Sequence, residues 1–137
     1  MTAEWTLSYV DAKGIIETIS AEVEKRGKAA VIVVADAHGE LLALARMDGA
    51  PLSSIAIATN KAWTAARERK PSEDIGTAAR DRDKGFDIGY FGDPKFTGWG
   101  GGVPVWKDGK VVGAVAVSGL PQEEDIELAS GAAGRLS

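Results

Sequence analysis

The sequence contains no cysteine and only one histidine, His38, among its 137 residues. Without cysteine, the chain cannot form disulfides, iron–sulfur clusters, thiolate zinc sites or a thiol nucleophile. One histidine cannot supply several histidine ligands to a metal, and a Ser-His-Asp triad would depend on that residue alone. We therefore expect no metal site in this chain.

The chain also lacks an excess of positive charge and a long apolar run. Sixteen basic residues stand against twenty acidic ones, for a net charge of −4, so we expect no basic surface for nucleic acid or an anionic membrane. The longest apolar stretches, 29–35 and 111–117, have the length of buried strands, well short of the roughly 18 residues of a membrane span. The first five residues carry no basic targeting segment. A cytoplasmic protein without nucleic acid or membrane partners is the expectation.

Hydrophobic periodicity predicts a single domain over residues 1–137. Apolar residues at helical spacing predict three longer helices, over 8–26, about 55–70 and 121 to about 134. A shorter helix is predicted to begin at Ser72, which is a candidate N-cap. Two hairpins, 29–35 with 40–47 and 103–106 with 111–118, are predicted by short apolar segments around glycine-containing turns. Hairpins flanked by separate helices favour an α+β fold with an antiparallel sheet. Because two hairpins cover a sheet face poorly, further pairing within 86–102 is also an expectation.

Residues 85–102 differ sharply in composition from the rest of the chain. Six of the nine aromatic residues fall between Phe86 and Trp106, and seven glycines lie between 85 and 102. A loop of this length is usually functional or part of an interface. Tyr90 and Trp99 are suited to an aromatic wall against a planar ligand or to a contact between subunits, and Gly101 would allow close approach of the backbone. We expect both a small-molecule ligand and a homo-oligomer.

Arg46 and Asp48 flank the end of the second predicted strand, just before a helix begins, which is a common position for ligand contacts. The Arg46 guanidinium can hold a carboxylate with two parallel hydrogen bonds. Strand alternation places Arg46 on the same face as Leu42 and Leu44, so we expect apolar surroundings for it. A guanidinium there must be paired, either with Asp48 or with an external anion.

Lys61 lies on the flank of the apolar stripe of the second long helix, and two interpretations of it remain open. Its ammonium either extends along the helix to water, or it anchors an anion or moves a proton, as Asp48 could also do. Ser118 ends the last predicted strand and precedes the last helix, whose first turn is acidic. We treat Lys61 and Asp48 as candidate catalytic residues, and Ser118 as a candidate ligand contact.

Two stretches, R-M-D-G-A at 46–50 and G-G-V-P-V at 101–105, together with the hairpin that ends at Ser118-Gly119, resemble the GlcG/HbpS-like family. This family includes the C-terminal domain of PduO-type adenosyltransferases, and the resemblance covers nearly the whole chain. It implies a profilin-like α+β fold, frequent assembly into oligomers, and links to heme binding, corrinoid metabolism and, in a few members, small-molecule enzymology. Asp125 matches the family's acidic position after the Ser-Gly pair, which implies a polar contact there.

Heme is therefore a candidate cofactor, but the sequence departs from its relatives where the iron would bind. The first helix contains no histidine, so heme ligation from that helix does not carry over. His38 falls in the predicted turn of the first hairpin, where an exposed side chain is the usual outcome. We expect any heme binding to be weak or to use a ligand other than histidine.

These observations support one leading hypothesis and two alternatives. The leading hypothesis is an oligomeric protein that binds a small ligand, with a tetrapyrrole as one candidate, in a pocket framed by Arg46, Asp48, Lys61 and residues 86–102. The first alternative is a cofactor-independent lyase or isomerase acting on a carboxylated aromatic or a hydroxy acid, in which Arg46 holds the carboxylate. The second is a structural protein that assembles other proteins.

Overall fold

Helices and strands follow one another along residues 5–136, the part of the chain that this computed structural model describes. The elements agree with the predicted ones to within a few residues at their ends. In chain order they are α1 (Tyr9–Lys25), β1 (Val31–Asp36), β2 (Leu41–Arg46), α2 (Ser54–Glu68), α3 (Ser72–Ala79), a 3-10 turn (Ile88–Phe91), β3 (Gly102–Lys107), β4 (Lys110–Ser118) and α4 (Gln122–Leu136).

The four strands form one antiparallel sheet in the order β2-β1-β4-β3. Each predicted hairpin is present, and β1 joins the two by pairing with β4, with Val31 opposite Ser118. The expected strand pairing within 86–102 was wrong for residues 86–101. These residues contain a 3-10 turn and no strand, and β3 begins at Gly102. Four strands suffice because helices pack on both faces of the sheet. The fold is α+β, as predicted.

The two faces of the sheet differ in the size of the residues that cover them. Helices α1 and α4 pack on one face against larger side chains such as Ile32 and Val117. On the other face, α2 places Ala58, Ala62, Ala65 and Ala66 against small residues of the central strands, including Ala114 and Ala116. Small side chains let a helix axis approach a sheet closely. Helix α2 is therefore held tightly against β4, and this fixes where its polar residues lie.

Both edges of the sheet carry an irregularity. In β2 the register shifts between its pairings with Val34 and Ala35, which leaves Leu42 as an extra residue. The bulge places Leu42 against the core on the α1 side, whereas Leu44 packs on the α2 side. The predicted alternation was therefore wrong for Leu42, but Arg46 stays on the face of Leu44, because the two residues pair with Val31 and Val33 in unbroken register. At the opposite edge, β3 contains Pro104, a residue that cannot donate a ladder hydrogen bond.

Ser72 is not the N-cap of α3, which was the prediction; Pro71 occupies that position and Ser72 is the first helical residue. The Ser72 side chain is fully buried. Its hydroxyl donates to the carbonyl of Trp99 at 2.6 Å and accepts from the amide of Gly102 at 3.0 Å. Ser72 therefore attaches α3 to the end of the glycine-rich segment, just before β3 begins.

We predict that Ser72→Ala destabilises the fold by about 1–3 kcal/mol, because it leaves the buried amide of Gly102 without an acceptor. Urea unfolding followed by circular dichroism measures the change. Ser53→Ala is the matched control, since Ser53 is exposed and makes no side-chain capping bond; we expect it to change the free energy of unfolding by less than about 0.5 kcal/mol. Equal losses in the two variants would contradict the role given to Ser72.

Candidate functional site

Lys61 is one of the most deeply buried polar residues in the described part of the chain, with 2% of its surface exposed. Its ammonium donates to the carbonyl of Val117 at 2.9 Å and to Oδ2 of Asp125 at 3.3 Å. Of the two interpretations of Lys61, extension to water is therefore wrong. Close packing of α2 against β4 directs the side chain past the end of β4 toward the first turn of α4.

Asp125 completes this ion pair from the first turn of α4 and is 3% exposed. Its other oxygen, Oδ1, accepts from the amide of Leu120 at 3.2 Å. Burial raises the pKa of Asp125 from 3.8 to about 6, although Lys61 acts in the opposite direction. Burial also lowers the pKa of Lys61, and the Asp125 carboxylate opposes that change. Both groups thus titrate closer to neutrality than exposed ones, which is typical of groups that move or share protons.

The backbone around the pair leaves no room for additional side chains. Gly101 has a φ of +126°, and a Cβ there would lie 2.6 Å from the Val117 oxygen and 2.8 Å from the Lys61 nitrogen. A Cβ on Gly102 would collide with the backbone carbonyl of Lys61. At Gly101 the backbone closely approaches the Val117 carbonyl and the Lys61–Asp125 pair, whereas the approach to a ligand or a neighbouring subunit stays a prediction.

The ion pair forms the polar floor of a pocket of about 330 Å³ between α2, α4 and the segment before β3. At one side, the hydroxyls of Ser54 and Ser118 lie 3.2 Å apart, and both residues are buried. At the other, the side-chain oxygen of Gln122 accepts from the amide of Gly100 at 3.0 Å. The lining residues are Pro51, Ser53, Ser54, Ile57, Lys61, Trp99, Gly100, Ser118, Gly119, Leu120, Gln122 and Asp125.

Two depressions elsewhere on the described residues are larger but chemically different. One, of about 430 Å³, lies between α1 and α4, and the other, of about 470 Å³, lies beside Phe86 and Arg80. Within residues 5–136, the buried charged side chains are Lys61 and Asp125, and neither lines these depressions. Among the same residues there is no cluster of three or more histidine, aspartate or glutamate side chains able to hold a metal ion. We therefore take the Lys61–Asp125 pocket as the candidate site.

The structure brings together five of the eight predicted site residues. Lys61, Trp99, Ser118 and Asp125 line the pocket, and Gly101 lies against the ion pair below it. Of the two candidate catalytic residues, Lys61 lies in the pocket in contact with Asp125, and Asp48 does not line it.

Arg46, Asp48 and Tyr90 lie outside this pocket. Arg46 is exposed rather than set in apolar surroundings, and in the described part of the chain no ion pair joins it to Asp48, which is also exposed. Because Arg46 and Ser118 both stand opposite Val31, they are at the same end of the sheet but two strand spacings apart, about 10 Å.

The aromatic residues of the 86–102 segment mostly pack on one another. Phe91 stacks on Phe96 with centroids 4.1 Å apart, and Phe96 meets the edge of Trp63 from α2 at 4.8 Å. Tyr90 is 81% exposed and Trp99 is 61% exposed. Of the aromatic residues expected to form a wall against a ligand, Trp99 lines this pocket and Tyr90 does not. The stacked phenylalanines instead attach the segment to α2.

Sequence reasoning missed Ser54, Ile57, Leu120 and Gln122 as lining residues. Ser54 and Ile57 precede Lys61 by seven and four residues, so they share its helix face, and this spacing was available in the sequence. Leu120 and Gln122 flank Pro121 at the start of α4, and the sequence contained no comparable signal for them.

No helix in residues 5–136 is long and apolar enough to cross a membrane.

The described residues form an α+β domain with helices on both faces of a four-stranded sheet and a buried ion pair at one end of it. A family model described as "Haem degrading protein HbpS-like" matches residues 7–133. The chain belongs to this HbpS-like family, as the sequence resemblance predicted.

Individual relatives agree with this assignment. Protein GlcG of Escherichia coli is 37% identical over 121 residues, which are 86% of this chain and 85% of GlcG. The corrinoid adenosyltransferase PduO of Salmonella typhimurium is 26% identical over 128 residues, 93% of this chain but only 38% of PduO. The crystal structure of a PduOC:heme complex superposes with a TM-score of 0.86 at 26% identity and covers 94% of each chain.

The raised pKa of Asp125 predicts a specific dependence of stability on pH. Its pKa of about 6 in the folded state exceeds the ordinary value of 3.8, so between these values the folded protein holds a proton that the unfolded chain releases. This proton contributes stability that is present in acid and is lost as the pH rises to about 6. Above about pH 7 the contribution no longer changes.

We predict that Asp125→Asn removes this dependence. Relative to the variant, the wild-type free energy of unfolding should fall between about pH 4 and about pH 6 and then level off. Urea unfolding across this range measures it, and Asp48→Asn, which replaces an exposed carboxyl group, serves as the control that keeps the wild-type profile. Parallel profiles for the wild type and Asp125→Asn would show that Asp125 titrates like an exposed carboxyl group.

Proposed function

We propose that this protein binds a small organic molecule in the Lys61–Asp125 pocket. The observation that carries the proposal is an ion pair, more than nine-tenths buried, at the floor of a pocket with apolar walls. A buried ion pair contributes little net stability compared with apolar residues of similar volume. Its presence at a concave surface, with the pKa of both groups shifted toward neutrality, supports a role in binding rather than in folding.

The dimensions and lining of the pocket support the same proposal. A volume of about 330 Å³ falls within the range of about 300–1,000 Å³ that is typical of small-molecule sites. Ile57, Leu120 and Trp99 supply apolar wall, while Ser54 and Lys61 supply polar groups on one side. Such a surface, mostly apolar with a few polar groups, is what orients a small ligand.

Trp99 and Tyr90 allow a matched test, because both are exposed aromatic residues of the same segment and only Trp99 lines the pocket. In a ligand screen followed by amide chemical shifts, compounds that shift Ser54, Gly100 and Gly119 should bind about tenfold more weakly to Trp99→Ala. Tyr90→Ala should bind them like the wild type. Equal losses in both variants, or no compound that shifts these amides, would refute the proposal.

An enzymatic form of this function is the alternative that the geometry favours next. A lyase or isomerase acting on a carboxylated aromatic or hydroxy acid would use Lys61 and Asp125 to move the proton, since they are in contact and Asp48 lies away from the pocket. Arg46, the residue expected to hold the carboxylate, does not line this pocket. Assembly into a homo-oligomer stays a prediction, supported by the exposed aromatic residues Tyr90, Trp99 and Trp106.

Heme is the second candidate ligand, supported by the HbpS-like family description and by the similarity to the PduOC:heme complex. The Lys61 pocket does not fit an iron porphyrin, because its charged groups are already bound to each other and no histidine lines it. His38 is exposed beside a mainly polar depression that also includes Arg67, Arg69 and Phe96. Any heme site in this chain would have to lie outside the pocket.

We predict that His38→Ala leaves hemin binding nearly intact. The reason is that an exposed side chain at a turn gives the iron ligand no fixed position and no apolar enclosure. Titration of wild type and variant with hemin, followed by the Soret absorbance, measures the affinity of each. A sharp, stoichiometric Soret band in the wild type that His38→Ala abolishes would show that His38 is the iron ligand after all.

A further inference from the structure

Building on the proposed pocket, we infer that its ligand presents an uncharged carbonyl oxygen to Lys61. The inference rests on which hydrogen-bonding groups of the pocket are already used and which are not. It goes beyond small-molecule binding because it names the chemical class of the ligand and the orientation in which it enters.

The polar side of the pocket has donors to spare. A lysine ammonium carries three N–H donors, and in the described structure Lys61 uses two of them, on Val117 and Asp125. The hydroxyls of Ser54 and Ser118 share one hydrogen bond, which uses one of their two hydrogens. Within residues 5–136, no further acceptor lies within hydrogen-bond distance of these groups.

The acceptors beside these donors each already accept one hydrogen bond. Asp125 accepts from Lys61 with one oxygen and from the amide of Leu120 with the other. The side-chain oxygen of Gln122 accepts from the amide of Gly100. A ligand that offers an acceptor therefore satisfies a buried N–H or O–H group that has no partner, whereas a ligand that offers a donor only adds a second hydrogen bond to an oxygen that already has one. A buried donor without a partner costs more free energy than an acceptor that uses only one of its lone pairs. A ligand that brings an oxygen acceptor is therefore favoured.

The charge of the site selects among oxygen acceptors. Lys61 and Asp125 together are neutral when ionised. Of the other acids in that turn of α4, Glu123 is exposed and Glu124 pairs with Arg26 and Lys28. A carboxylate ligand would bring a net negative charge into a buried site next to Asp125, which is unfavourable. A ketone, aldehyde or amide oxygen makes the same hydrogen bond to Lys61 without that penalty. Apolar walls from Ile57 and Trp99 accommodate the remainder of the molecule.

Three benzene derivatives of similar shape test the inference: acetophenone with a carbonyl, isopropylbenzene with no acceptor, and benzoate with a negative charge. Amide chemical shifts of Ser54, Lys61, Gly100 and Gly119 at pH 7.5 give the dissociation constants. We expect acetophenone to bind about tenfold more tightly than isopropylbenzene, as a hydrogen bond to a charged donor implies, and more tightly than benzoate.

Two variants assign the preference to the donors. Lys61→Met keeps the length of the side chain and removes its charge, and should reduce the preference for acetophenone over isopropylbenzene from about tenfold to about threefold or less, the share that Ser54 supplies. Ser54→Ala keeps the ion pair and should weaken acetophenone binding severalfold, which provides a test if Lys61→Met fails to fold. Equal binding of acetophenone and isopropylbenzene, or tightest binding of benzoate, would overturn the inference but leave the proposed pocket in place. No shift with any of the three would count against both.

Discussion

The contact between Lys61 and Asp125 is the interaction on which the site depends. It joins the middle of α2 to the first turn of α4, and through Val117 it reaches the end of β4. Removing either partner leaves an uncompensated buried charge, which typically costs about 3–5 kcal/mol. The small residues around the pair make the contact possible. The alanines of α2 let the helix lie close to the sheet, and Gly101 leaves space for the side chains of Lys61 and Asp125.

Membership in the HbpS-like family accounts for the fold better than it accounts for the chemistry. Relatives of this chain include a structure described as a heme complex, yet this chain has one histidine, and it is exposed at a turn. The same backbone can present different side chains at its concave surfaces, so function follows the residues of the site rather than the fold. In this chain those residues are a lysine, an aspartate, a glutamine and three serines, in a pocket whose other lining residues are apolar or glycine.

Periodicity predicted the helices and both hairpins because each has one face or both faces buried, and burial leaves a repeating pattern in the sequence. The same reasoning failed where a local irregularity intervenes. A bulge moves Leu42 to the other face, and Arg46 is exposed although it shares the face of Leu44, because it is the last residue of an edge strand. The burial of Lys61 was also not predictable from its own helix, because it depends on Asp125, sixty-four positions later. Long-range ion pairs leave no periodic signal, and only the family resemblance had pointed to Asp125.

The irregularities at the two open edges of the sheet have a consequence for how copies of this chain can meet. A bulge in β2 and a proline in β3 interrupt the row of backbone groups that a neighbouring strand would need. Extension of the sheet from one molecule to the next is therefore disfavoured on both sides. Any assembly would instead be built from side-chain surfaces of helices and loops, whose shape and chemistry are specific to one partner. The protein is thereby protected against the open-ended stacking to which exposed strands are prone.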